Sequence, residues 1–323
     1  MRTLSLCAMA LAAILGAALP AAAEDAYPNR AIKILVPIPP GGAPDVVARL
    51  VGNYLSQAVG QPVVIENRTG ANGNIAGEAA AKSPPDGYTL ILAADSGIVI
   101  NPHVYAKMSF DPMKDLVPIT SVATNQFVLA VNPKVPVKTL PEFIEYAKKA
   151  NPPLAFASGG VGSQHFFDMA QLKQRGGFKV LDVTYRGGSP AMQATIAGET
   201  QVLFAGGESA GQFKAGTLRP LAVSGKARSQ AMPDVPTIGE TYPGYAVDIW
   251  LGLFAPAGTP KPIIDKLRTI VQAELKKPEV AAKVNVSGSL MPLILSPEEF
   301  AARIKSDDEK FGKLAKELNV HIQ

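Results

Sequence analysis

The sequence is poor in the side chains that do covalent and metal chemistry. Its one cysteine, Cys7, sits near the start of the chain with no lipobox around it, which excludes a disulfide framework and a lipid anchor. The three histidines, His103, His165 and His321, are too scattered for metal-ligand spacing, so no metal is expected and no cofactor motif is complete. Charge of one sign is also scarce. The 31 Lys and Arg face 27 Asp and Glu without basic runs, a balance too weak for nucleic acid and mildly favourable to small anions. After the N-terminus no apolar window reaches the roughly 20 residues that span a bilayer, so the mature chain is expected to be soluble. Heptads, fixed-period repeats and low-complexity segments are missing as well.

What is present begins with a leader. Arg2, an apolar stretch from Leu4 to Leu19, then Pro20 and Ala21 to Ala23 have the order of a secretory signal peptide, with cleavage expected after Ala23 and export to the periplasm. The remaining chain of about 300 residues suits two lobes better than one core.

The most telling stretch is ILVPIPPGGAPDVVAR, Ile34 to Arg49. A buried strand stops in a Pro/Gly loop and restarts as a helix opened by Pro44 and Asp45. Proline fixes φ, glycine lets a ligand approach the backbone, and the first helical turn offers unpaired N–H groups at the positive end of the dipole. A carboxylate suits such a cradle. Strands at 31–36, 63–66 and 88–93 alternate with helices, the βαβαβ order of a doubly wound sheet. Two strand-like runs, 118–122 and 127–131, then follow without a helix between them, which reads as a crossing into a second lobe. There Thr139 and Glu142 predict a capping box, and strands at 154–157, 180–185 and 202–205 alternate with helices. The run IWLGLFA at 249–255 reads as a return strand. Two amphipathic helices follow it, the second opened by a capping box of Ser296 and Glu299. The expected organisation is a signal peptide at 1–23, lobe 1 at 24–124, lobe 2 at 125–248 and a return to lobe 1 at 249–323. Two crossings of this kind suit hinge closure around a ligand.

In open α/β sheets, ligands sit beyond the carboxyl ends of the strands. The loops expected there supply the candidate ligand-binding residues: Pro39, Pro40, Gly41, Gly42 and Asp45 from the first, Asp95 and Ser96 from a second, Ser158, Gly159, Gly162 and Ser163 from a third, and Tyr185 and Arg186 from a fourth. The loops 67–74 and 206–209 belong to the same set. They offer backbone N–H and hydroxyl donors rather than paired acids and bases. Asp45 reads first as a helix N-terminal charge, which suits an anion site only if it fixes loop N–H groups. Arg186 offers a guanidinium to the far end of a dicarboxylate or is a solvated surface residue. Ser163, His165 and Asp168 share one helix, where a spacing of two turns His165 away from Ser163, and no GxSxG elbow occurs, so no catalytic residue is assigned. Trp250 reads as hinge or core packing.

The segments VPIPPGGAPDVVARL, VVIENRTGANGNIAGEAAAKSPPDGYTL, LAFASGGVGSQH and WLGLFAPAGTP, in this order, closely resemble the tripartite tricarboxylate transporter substrate-binding proteins, the Bug family. The resemblance implies a type II periplasmic binding-protein fold of two α/β lobes closing on a small carboxylated solute, which is then delivered to a membrane permease. It also implies that residues 37–45 and 158–163 hold one carboxylate largely through backbone groups. The chain departs from the family pattern at Ile38, at Pro44, and at 205–208, where Asp and Asn are frequent in relatives. The reading is therefore a monomeric, non-catalytic receptor for a di- or tricarboxylate, amino acid or aromatic acid. A sensory receptor docking on a membrane sensor, or an exported α/β enzyme, are the alternatives.

Overall fold

A computed structural model describes residues 27–206, 209–285 and 290–322. The leader, with Cys7 and the expected cleavage point after Ala23, lies outside the described residues, as do Gly207 and Glu208.

The apolar run at the start becomes β1 (Ile32–Val36), and the Pro/Gly loop after it opens α1 (Ala43–Val59). This helix ends where Gly60 takes a left-handed φ of 69° and its N–H caps Ser56 O, a conformation that a side chain would disfavour. The chain continues through β2 (Val63–Asn67), α2 (Asn74–Ala81), β3 (Thr89–Ala94) and a long β4 (Leu116–Asn125). It then enters β5 (Val128–Val131), α3 (Leu140–Lys149), β6 (Leu154–Ser158), α4 (Gln164–Gly176), β7 (Val180–Thr184), α5 (Gly188–Ala197), β8 (Val202–Ala205) and β9 (Arg219–Val223). The last elements are β10 (Ile249–Pro256), α6 (Lys261–Leu275), α7 (Pro278–Val284), β11 (Leu290–Pro292) and α8 (Pro297–Glu317).

These strands form two mixed sheets. The first has the order β11-β4-β10-β3-β1-β2 and the second β7-β6-β8-β5-β9. In the first, β1 runs parallel to β2 and β3, whereas β10 is antiparallel to both β3 and β4. In the second, β6 is parallel to β7 and β8, and β5 is antiparallel to β8 and β9. The return strand is thus central in the first sheet, buried along its whole length. Helices α1 and α6 cover one face of that sheet through Val47, Val51, Leu267 and Val271, and α8 covers the other through Phe300, Ile304 and Phe311. Trp250 is packed in this second layer. It lies edge-on to Phe300, and its Nε1 donates to Asp307 at 2.9 Å, so it is a core residue with its polar tip satisfied.

The chain passes between sheets at Asn125–Val128 and again between β9 and β10. These passages lie side by side. The Phe127 N–H donates to Ser224 Oγ, Ser224 Oγ donates to Val247 O, and the Val247 N–H donates to Ser224 O, at 2.9, 2.9 and 2.8 Å.

Sequence patterning missed two edge strands. β9 contains Pro220, which demotes a strand reading and is tolerated because β9 closes the edge of its sheet. β11 is three residues long and ends in Pro292. The capping box expected at α3 is half made. Thr139 Oγ1 accepts from the Glu142 N–H, but the Glu142 carboxylate turns to the Lys138 N–H. At α8 both arms form, with Ser296 and Glu299 bonded reciprocally at 3.1 and 2.8 Å.

Candidate functional site

The first loop is shaped by Asp45. Its side chain is only 2 % exposed and accepts from the Gly41 N–H, from Arg49 Nε and Nη2, and from Asn67 Nδ2, at 2.8 to 3.0 Å. Asn67 Nδ2 also donates to Ile38 O at 3.0 Å, so the loop is tied to β2 at two points. Burial acts against the charged form of Asp45. The hydrogen bonds from Arg49, Asn67 and Gly41 outweigh it and hold the carboxyl below its ordinary range. Asp45→Ala should therefore lower stability by about 2 kcal/mol by stranding the Gly41 N–H and Asn67. The wild-type contribution is present at neutral pH and vanishes as pH falls through the depressed folded value. Urea denaturation of both proteins at pH 7 and at successively lower pH checks both statements, since the gap should narrow as the pH falls.

The second loop, 158–163, turns through two glycines with left-handed φ, Gly160 at 108° and Gly162 at 87°. It ends at Ser163, the N-cap of α4, whose Oγ accepts from the Phe166 N–H and donates to Gly160 O. A third turn, at Gly187 with φ 111°, opens α5 without any side-chain cap, and α1 likewise starts at Gly42 without one. Pro44 and Pro190 carry no N–H and the Asp45 N–H donates to Gly42 O, so the N–H groups these two starts offer are those of Ala43, Gly188 and Ser189.

These helix starts meet. Ala43 and Pro44 of α1, Gln164 and His165 of α4, and Gly188 and Ser189 of α5 line one small cavity of about 120 Å³, together with Pro39, Gly42, Asp95, Ser96, Gly159 and Ser163. Three helix N-termini around a carboxylate-sized space suit an anion through aligned dipoles and amides. On its wall, Asn125 Oδ1, Gln164 Oε1 and His165 Nδ1 are buried with no partner in the protein, which marks them for a ligand or a bridging water. His165 stacks on Phe127 with ring centroids 4.2 Å apart, and burial lowers its pKa to about 4, so it faces the cavity uncharged at neutral pH. Asp95 is buried at the end of β3 with its Oδ1 bonded to the Ser96 N–H. Burial, and then the neighbouring Asp307, push its carboxyl well above the ordinary range. The shift weakens the repulsion that a full charge at this wall would exert on an anion.

A larger cavity of about 800 Å³ shares Ile38, Pro39, Asn72, Ala94, Ser96, Gly159 and Gly187 with the small one and reaches Tyr185 and Arg186. Its rim includes a bridge between lobes. Asn72, held at φ 50°, donates through Nδ2 to Gly162 O at 2.9 Å and to Asn101 Oδ1 at 2.6 Å, and Asn101 Nδ2 donates back to Asn72 O and Asn74 Oδ1.

Of the residues expected at the site, Pro39, Gly42, Asp95, Ser96, Gly159, Ser163, Tyr185 and Arg186 line one or both cavities. Pro40, Gly41, Asp45, Ser158 and Gly162 line neither. Pro40 and Gly41 are exposed on the loop, Gly41 spending its N–H on Asp45. Asp45 points to Arg49 and Asn67. Ser158 is fully buried, its Oγ accepting from the Gly160 N–H, and Gly162 backs onto Val104 and Ile322. Asn72, Gln164, His165, Gly188 and Ser189 were missed as individual residues. The Gly-rich runs at 70–73 and 187–189 were the signal that could have found three of them. Among the described residues, no three His, Cys, Asp or Glu side chains gather as a metal site, and Ser163 Oγ donates to a backbone carbonyl rather than to His165.

Two mixed α/β sheets, two adjacent passages between them and a cleft walled by helix N-termini define a periplasmic binding-protein fold. The model of the tripartite tricarboxylate transporter family receptors matches residues 47–320, and the chain belongs to that family. This is a family of transport receptors rather than enzymes. BugT of Bordetella pertussis is similar over 95 % of this chain and 95 % of its own, at 32 % identity. Among solved structures, Rpa4515 of R. palustris with adipate covers 92 % of this chain and 100 % of its own, at 31 % identity and a TM-score of 0.88. MatC of Rhodopseudomonas palustris with bound malate covers 89 % and 99 %, at 28 % identity and a TM-score of 0.83.

Proposed function

We propose that this receptor captures an organic acid in the periplasm and presents it to a membrane permease, with the acid's carboxylate seated where α1, α4 and α5 begin. The observation that carries this reading is the convergence of those three helix starts, two from one lobe and one from the other, on the 120 Å³ cavity. Structural relatives with adipate and with malate support a carboxylated ligand. Because both lobes donate, the closed form binds the anion better than an open one, and that difference is what drives closure about the paired passages at Phe127 and Val247. The lobes are assigned as 24–124 with 249–323, and 125–248. The expected leader at 1–23 supplies the route to the periplasm.

A thermal-shift screen of the mature protein against mono-, di- and tricarboxylates, acidic amino acids, aromatic acids and uncharged controls tests the reading. Melting temperature should rise with one subset of acids and with none of the uncharged compounds. A rise with the uncharged analogues alone would refute the anion site.

A further inference from the structure

The larger cavity has a chemistry of its own. Past the rim it runs into the first lobe between α2 and β3, where its walls are Gly77, Ile91, Ile98, Phe110, Leu116 and Ile322. Five of these six are aliphatic or aromatic side chains. Gly77 leaves room for Phe110, since a Cβ there would stand 2.3 Å from the Phe110 ring. Among the residues lining the whole 800 Å³ space, Arg186 alone carries a charge, and it is exposed rather than set in the pouch. The starts of α1, α4 and α5 gather instead around the 120 Å³ cavity beside it.

We infer that the ligand is an acid with one anchored carboxylate and a bulky apolar body that fills the pouch under α2. This rests on the carboxylate-receptor reading and narrows it. A polar acid such as citrate would have to turn its further carboxylates towards Ile91, Phe110 and Leu116, where the Tyr105 hydroxyl is the polar group of the wall nearest Phe110 and Leu116 in sequence and no cation lies among them, and a poorly paired buried carboxylate is heavily penalised. An alkyl chain or aromatic ring covers the same surface with a gain proportional to the area removed from water.

The experiment is calorimetric titration of the mature wild-type protein with the sodium salts of a straight-chain series from butanoate to octanoate, beside malate, citrate and adipate. Each added methylene should tighten binding about fourfold until the pouch is full, with a heat-capacity change that grows more negative along the series. Octanoate should then exceed butanoate by roughly two orders of magnitude, and malate and citrate should be far weaker. Affinity that stays flat or falls with chain length, or a dicarboxylate that outbinds the monocarboxylate of equal carbon number, overturns the apolar-body inference and leaves the carboxylate receptor standing. Failure of every acid in this series to bind overturns the apolar-body inference, and failure of every acid in the thermal-shift screen as well overturns both. Ala93 lines the pouch from β3. Ala93→Leu should weaken octanoate about tenfold or more and butanoate by less; equal losses for the two acids would count against the pouch.

Discussion

Valine at position 162 should cost the protein roughly a hundredfold in ligand affinity while leaving both lobes folded. Gly162 sits in the second-lobe loop, and a Cβ there would stand 3.0 Å from Val104 Cγ2 and 3.1 Å from Ile322 Cδ1, both belonging to the first lobe. Its carbonyl also receives the Asn72 bridge. The two further methyl groups of valine have no space in that contact, and overpacking of this kind costs about 1 to 3 kcal/mol. Because the contact spans the lobes, that cost falls on the closed form alone. The positive φ of 87° adds strain to open and closed forms alike and shows up only as a lower melting temperature. A closed state disfavoured by about 3 kcal/mol, the upper end of that range, lowers apparent affinity by roughly a hundredfold. Titration of the tightest-binding acid, with small-angle scattering on the same samples, separates the outcomes. Weak binding with a larger radius of gyration is expected, and wild-type affinity would mean that this contact is not part of the binding form.

The second large effect is on the dependence of stability on pH. Asp168 lies fully buried on α4, with Oδ1 accepting from Gln164 Nε2 at 2.8 Å and Oδ2 without a partner. Burial dominates, against the Gln164 bond and the charge of Lys310, and raises its pKa from 3.8 to about 8. The folded protein therefore holds a proton that the unfolded chain releases, so stability falls as pH rises between those two values. One such group gives a slope of up to about 1.4 kcal/mol per pH unit. Asp168→Asn keeps the acceptor for Gln164 and removes the proton. Chemical denaturation from pH 4 to 8 should show the wild type losing ground steadily to the variant, and parallel profiles would show that Asp168 is ionised in the folded state.

Much of the scaffold was readable because local rules acted alone. The β1 strand, the proline and glycine loop and the opening of α1 are dictated within sixteen residues, and Ser296 with Glu299 marks α8 by a local exchange of hydrogen bonds. The role of Asp45 was half readable. A first-turn acid was evident, but its pairing with Asn67 depends on β1 and β2 lying side by side. The pouch was not readable. Gly77, Phe110, Leu116 and Ile322 are scattered over most of the chain, and each looks like an ordinary core residue until the sheet and the C-terminal segment bring them together. The same holds for Asp95, Asp168 and Asp307, carboxylates far apart in sequence that influence one another only because α4 and α8 pack near the end of β3.

The chain has one tryptophan, and its position makes it an optical gauge. Trp250 stands on the return strand two residues after Asp248. Its indole N–H is held by Asp307, which also accepts from Arg303 Nε at 2.6 Å, and Arg303 Nη2 donates to the carbonyl of Asp248 at 3.0 Å. A turn of the backbone at 248 pulls on Arg303, shifts the carboxylate beside the indole and so changes the electric field along its transition dipole. The emission spectrum of the unlabelled protein should therefore shift when a saturating acid closes the lobes, and an unchanged spectrum would mean that this chain of bonds does not move with the ligand.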